Sequence, residues 1–153
     1  MYAAIMVRGL IGARKDAKAT MKMLRLNKQN HLVLLPENES SRGMLDKVKE
    51  YVTYGEVSPE VLAKLIWKWA RLVGDKRIDA DFLKKNKFSK IEELADAVIG
   101  NKNAMEGLGI KPVFRLHAPS KGYERLGIKK QYKHGGALGF RGAEINKLIE
   151  RMI

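Results

Sequence analysis

The chain has 153 residues, with 30 Lys and Arg against 17 Asp and Glu, a net charge of +13 and a pI near 10.0. Its length fits one domain or a small core with additions, and a hydrophobic content of 45% is that of a globular chain rather than a disordered one. It contains no cysteine, which excludes thiolate zinc sites, disulfides and cysteine nucleophiles. The strong positive field points to an acidic polymer as partner. The start, MYAAIMVRGLIGARKDAK, lacks the apolar stretch of a signal peptide, so a cytoplasmic protein is expected.

Taken in order, residues 2–7 (YAAIMV) form an apolar run that predicts a buried strand. Residues 13–26 predict a helix with Ala13, Ala17, Thr20, Met21 and Leu24 on one face and Lys15, Lys18, Lys22 and Arg25 on another. HLVLL (31–35) predicts a second strand, closed by Pro36. Asn38 to Ser41 offer N-caps for a helix through Tyr51, with Met44, Leu45 and Val48 on its apolar side. TYGEV (53–57) alternates weakly and predicts a third strand. The expected class is α+β: a small βαβαβ core of three strands, ferredoxin-like in outline, with both helices on one face of the sheet.

Ser58-Pro59-Glu60 opens the clearest helix of the chain, expected to run to about Val73 and to be stopped by Gly74. Its stripe buries Val61, Leu62, Leu65, Ile66, Trp69 and Val73; Trp67 falls less clearly. A short helix is expected over 79–86. Ser89 to Glu92 then gives a capping-box pattern for another helix ending near Gly100. After a basic stretch, residues 143–153 predict a terminal helix striped by Ile145, Leu148, Ile149 and Met152. The expected organisation is a core over 1–57, a helical extension over 58–106 packed on it, and a basic Gly-rich RNA-binding segment with a terminal helix over 107–153.

Charge is unevenly spread. Residues 107–153 hold ten bases against three acids, whereas 58–106 hold ten against eight. Within 107–142 a single acid, Glu124, stands among eight bases and eight glycines, with Phe114, Tyr123, Tyr132 and Phe140 interspersed. Lys and Arg neutralise phosphates, glycine lets backbone follow an irregular surface, and aromatics stack on bases. The segment is therefore expected to lie along nucleic acid, with parts of 117–142 mobile until it does. The glycines of 135–142 lack the spacing of a P-loop or a dinucleotide fingerprint. His31, His117 and His134 are scattered. His31 is expected to open a strand, and His117 and His134 to meet RNA. No catalytic group, metal or cofactor is expected. The balanced 58–106 segment reads as a helical insert that positions the basic segment, with a protein-facing surface as the competing view.

Val7-Arg8-Gly9-Leu10-Ile11-Gly12, followed by Lys18, Thr20, Leu24-Arg25-Leu26, Asn30, Ser41-Arg42-Gly43-Met44 and Val48, resembles the large-subunit ribosomal protein family numbered thirty in bacteria and archaea and seven in eukaryotes. The ending KHGGALGFRGAEINKLIERMI (133–153) is similar to the longer archaeal and eukaryotic forms. The resemblance implies a three-stranded sheet with two helices, a structural role in the large ribosomal subunit, contact with its rRNA near the small 5S rRNA, and neighbouring ribosomal proteins as partners. It also implies rRNA contacts at the strand-to-helix turn (Arg8, Gly9, Gly12, Arg14, Lys15, Lys18) and at Arg42 and Gly43. Charge and glycine content add Lys22, Lys121, Arg125, Lys129, Lys130, Lys133, His134, Gly135, Gly136 and Arg141 as candidates. An assembly factor bound to precursor subunits is the alternative, with an RNA-processing enzyme using His31 or His134 and a DNA-binding regulator as remoter ones.

Overall fold

Strand β1 (Tyr2–Met6) is apolar at all five positions because both of its faces are covered. In the computed structural model, which describes residues 1–86, 88–100, 105 and 107–153, side chains alternate between two apolar layers. Tyr2, Ala4 and Met6 join one layer, and Ala3 and Ile5 the other. Strand β2 (His31–Leu35) divides in the same way, Val33 and Leu35 against Leu32 and Leu34. A strand buried on both sides reads as continuous apolar sequence rather than as alternation.

The first layer is closed by helices α1 (Lys15–Met23) and α2 (Glu39–Val48), through Met21, Leu45 and Val48. Helix α1 is shorter than expected, because Arg25 adopts a left-handed φ of 59° that turns the chain toward β2. Strand β3 (Val52–Glu56) begins one residue earlier than the alternation predicts and pairs antiparallel with β1.

The second layer is the larger. Helix α3 (Pro59–Trp69) contributes Leu62, Leu65 and Ile66, and helix α5 (Ile91–Gly100) contributes Leu94 and Val98; the short α4 (Ala80–Lys85) adds Leu83. Helix α6 (Ile145–Met152) contributes the whole predicted stripe of Ile145, Leu148, Ile149 and Met152. Each fully buried Leu or Ile contributes roughly 1.5–3 kcal/mol, so this face could not stay bare. Residues from all three stretches of the chain share this layer.

The sheet has five strands, not the expected three. Strand β4 (Val113–Arg115) adds antiparallel to β2, and β5 (Gly139–Phe140) adds parallel to β3, giving the order β4-β2-β1-β3-β5. These three- and two-residue strands are too short for a periodic signal and exist through their long-range pairing. The expected outline of two helices on one face holds for the central β2-β1-β3 trio, but helices cover the other face as well.

Helix α3 ends at Trp69, short of the predicted stop at Gly74. Ala70 is extended and buried, and the following residues fold back through a turn in which Gly74 and Asp75 both have positive φ, bridging Arg71 to Arg77. Val73 is consequently exposed rather than buried. The Ser58 side chain makes no capping bond; its N–H donates to Asn146 Oδ1 at 2.9 Å. Asn146 Nδ2 donates in turn to the Glu56 carbonyl at 3.0 Å, fixing α6 to the β3–α3 junction. Before α5 the Ser89 N–H donates to the Glu93 carboxylate at 2.8 Å, so Glu93 and not the expected Glu92 reaches back to Ser89.

Candidate nucleic-acid interface

Beyond β1 the chain leaves the sheet at Val7 and Arg8, whose N–H groups both donate to the Tyr51 carbonyl, at 2.9 and 3.0 Å. The Arg8 guanidinium donates to the Glu50 carbonyl at 3.3 Å and lies 5.6 Å from the Tyr51 ring centroid, so its stem is steadied while the residue stays half-exposed. Gly9 is exposed, and Gly12 turns the loop at φ +74°, a conformation that costs most L-residues strain. Arg14 is the N-cap residue of α1. Burial of Ala17, Thr20 and Met21 leaves Lys15, Lys18 and Lys22 exposed on the opposite face. At the loop tip Ile11 is fully exposed; it was no candidate, and the only sign of it in the sequence is an aliphatic residue between two glycines.

The basic segment is built from short turns rather than long elements. Two short 3-10 turns, Gly127–Lys129 and Tyr132–His134, are laced by bonds such as Tyr132 N–H to the Leu138 carbonyl (2.8 Å), Gly136 N–H to Gln131 (2.9 Å) and Ala137 N–H to Gly127 (3.1 Å). The folded segment displays Lys121, Arg125, Lys129, Lys130, Lys133 and His134 at the surface. Among the described residues no carboxylate pairs with its five Lys and Arg. Gly135 is exposed at φ +82°.

Two candidates are corrected. Arg141 is buried, with 2% of its side chain exposed. It forks onto Glu124 at 2.5 and 2.9 Å, donates to Thr53 Oγ1 at 3.2 Å and stacks 4.3 Å from the Tyr132 ring centroid. A guanidinium so engaged is not offered to a phosphate. Gly136 is also buried, and a Cβ there would sit 2.1 Å from the Lys130 carbonyl oxygen, so its glycine serves the turn rather than a ligand.

The segment and the strand-to-helix turn meet. Val7, at the end of β1, packs with Ala137 and Leu138 in a small buried cluster covered by Tyr123, whose hydroxyl donates to Asn30 Oδ1 at 3.0 Å. Residues more than a hundred positions apart thus flank one end of the sheet. Arg42 and Gly43 do not join them. Arg42 donates to the hydroxyl of Tyr2 at 3.1 Å, at the opposite end of β1, and Gly43 is exposed on α2 beside it.

A second basic group was not among the candidates. Lys111 precedes β4, the sheet's edge, and Arg115 is its last residue; with Arg25 and His31 they line a cleft of about 270 Å³. Both reach Asp75, Lys111 directly and Arg115 at 4.0 Å. Burial, together with the charges of Arg115 and Lys28, holds the His31 imidazole below its ordinary pKa. His31 opens β2 as expected, while His117 lies edge-on to the Trp69 ring at 4.8 Å.

Fold and charge together define a small basic α+β protein with exposed cations on the strand-to-helix turn, on α1 and on the 121–134 segment. Residues 2–52 match the model of the family described as Ribosomal protein L30p/L7e. The whole chain is similar to proteins named large ribosomal subunit protein uL30: 48% identical to that of Methanococcus maripaludis strain S2 over 99% of each chain, and 46% to that of Nanoarchaeum equitans over 100% of this chain and 99% of the other. That of Methanopyrus kandleri is 44% identical, over 96% of this chain and 100% of the relative. The chain belongs to this ribosomal protein family.

Proposed function

We propose that this chain is a structural constituent of the large ribosomal subunit that binds and stabilises folded rRNA, working in the cytoplasm as part of the ribosome. The observation that carries the binding surface is the Val7–Ala137–Leu138 cluster, which packs the end of β1, where the Arg8–Lys22 stretch begins, against the basic segment that includes Tyr123. Two basic elements on one rigid sheet span more phosphates than either does alone, and phosphate neutralisation supplies most of the affinity. Stacking and 2′-OH contacts add selectivity for folded RNA. We include in the proposal Arg42 and Gly43 as a separate contact, neighbouring ribosomal proteins as partners, and a position near the small 5S rRNA, the last resting on the family resemblance. The assembly-factor alternative draws no support from the relatives, which carry the name of a subunit protein.

The test is co-sedimentation with mature, salt-washed large subunits, followed by ultraviolet crosslinking. Stoichiometric recovery with crosslinks within 8–22 and 121–134 is expected. Recovery from precursor particles alone, or crosslinks avoiding both stretches, would overturn the reading.

A further inference from the structure

Helices α3 and α5 pack side by side over the second apolar layer, and an open groove of about 450 Å³ runs along their outer surface. Its floor is apolar, built from Pro59, Ala63 and Ile91, with the Trp67 ring 52% exposed at one side. Its rim carries Glu60, Glu92 and Asp96, none of which forms an ion pair among the described residues. Among the described residues of the rim the one cation is Lys64, which pairs with Glu150 at 2.8 Å and also interacts with Glu60.

A lone exposed tryptophan needs no explanation, and a charged rim is often only solvated. Here the apolar floor is concave, and Glu92 and Asp96 on its rim make no ion pair among the described residues of a chain of net charge +13. Glu60 is partly offset by Lys64, but Glu92 and Asp96 make no ion pair among the described residues and repel rRNA phosphates, so this face is built for a different neighbour from that of the Arg8–Lys22 and Lys121–His134 surface. Aromatic side chains are enriched as anchors at protein interfaces, and charge complementarity chooses the partner. We propose that the groove docks a Lys- and Arg-rich segment of another large-subunit protein, with a large apolar side chain set against Trp67 and its cations on the acidic rim. A second copy of this chain is disfavoured by mutual repulsion of two bodies each carrying +13.

The inference rests on the ribosomal reading, so its test has two arms. In the first, a chain with Trp67→p-benzoylphenylalanine is assembled into large subunits and irradiated. A principal crosslink to a basic segment of another subunit protein is expected, weakened roughly tenfold when Glu92→Lys and Asp96→Lys place like charges against the partner. Crosslinks to rRNA, to a second copy or to nothing above background overturn the proposal, as does indifference to the charge reversal. In the second arm, a lysine-rich peptide bearing a single Leu is titrated against the free protein by NMR. It should shift the Trp67 indole resonance, leave that of Trp69 in place and act weakly on the reversed-charge variant. No selective shift at Trp67 overturns the proposal. Failure of the chain to enter subunits counts against the ribosomal reading, and the free-protein arm then decides the groove.

Discussion

Arg141 and Glu124 form a two-pronged ion pair at 2.5 and 2.9 Å, with the arginine side chain almost wholly buried. Arg151 adds a third contact to the same carboxylate at 3.2 Å, from the end of α6. The one acid of the basic stretch therefore staples that stretch to β3 and to the terminal helix. Removing one partner of a buried pair leaves the other uncompensated, at a cost of about 3–5 kcal/mol. Glu124 is partly exposed and retains Arg151, so Arg141→Ala should destabilise the protein by about 3 kcal/mol, at the lower end of that range. Arg141→Lys should recover little, since an ammonium cannot reproduce the fork. Urea denaturation of the three proteins checks both expectations.

The same pair sets a pH dependence. Burial alone raises the Glu124 carboxyl, but the Arg141 hydrogen bond and the charges of Arg141 and Arg151 outweigh it and hold it below the usual carboxylate range. A carboxyl depressed on folding stabilises the native state above its unfolded pKa, about 4.3, and that stability drains away as pH falls through the folded value. Histidine His31 is also depressed, chiefly by burial, and adds a loss that begins nearer pH 6.5, roughly the unfolded value for histidine. Thermal melts across acid pH should show both losses. Glu124→Gln should flatten the lower one and His31→Gln the upper; unchanged curves would contradict these assignments.

Why the sequence revealed some of this and not the rest has physical reasons. Strand β1, helix α3 from its Pro59 start and the α6 stripe were legible because burial imposes a period on consecutive residues. Strands β4 and β5 were not, because three and two residues carry no period and their pairing joins distant parts of the chain. The cations of the turn and of the basic segment were legible as charge. Their convergence was not, since it depends on the small Val7–Ala137–Leu138 cluster. Composition counts Arg141 like any other base; the isolated acid seventeen residues earlier was the sign that one base in the stretch would be spent internally.

Glycines separate fold from function in a way that substitution can read. At Gly136 a Cβ would lie 2.1 Å from the Lys130 carbonyl oxygen, and at Gly55 2.1 Å from that of Gly142, a backbone contact that cannot yield cheaply. Gly136→Ala should loosen the turns over 127–138, seen as faster hydrogen exchange at the Ala137 and Leu138 amides. Gly43 lies within α2 with nothing within 4 Å of a Cβ. In an exposed helix, alanine there should stabilise the free protein by roughly 0.5–1 kcal/mol. If RNA backbone approaches that position, Gly43→Ala should nevertheless weaken incorporation into subunits, so a higher melting temperature with unchanged incorporation would remove Gly43 from the interface.

The exposed lysines should behave differently from Arg141. Lys129, Lys130 and Lys133 are at the surface and make no ion pair among the described residues, so replacing all three by Ala leaves the Arg141–Glu124 staple and the buried cluster intact. Each phosphate contact removed should reduce the salt slope of rRNA binding by roughly 1, and the triple variant by up to about 3. The same substitutions at Lys15, Lys18 and Lys22 should have a comparable effect, because those residues are exposed on the face of α1 opposite its buried side. Combining the two sets should lower the slope by about the sum, since separate phosphates are lost. Folding, followed by circular dichroism, should be unchanged throughout. Measured binding at several salt concentrations decides the matter: a slope unaltered in either folded triple variant would show that its lysines face water rather than RNA.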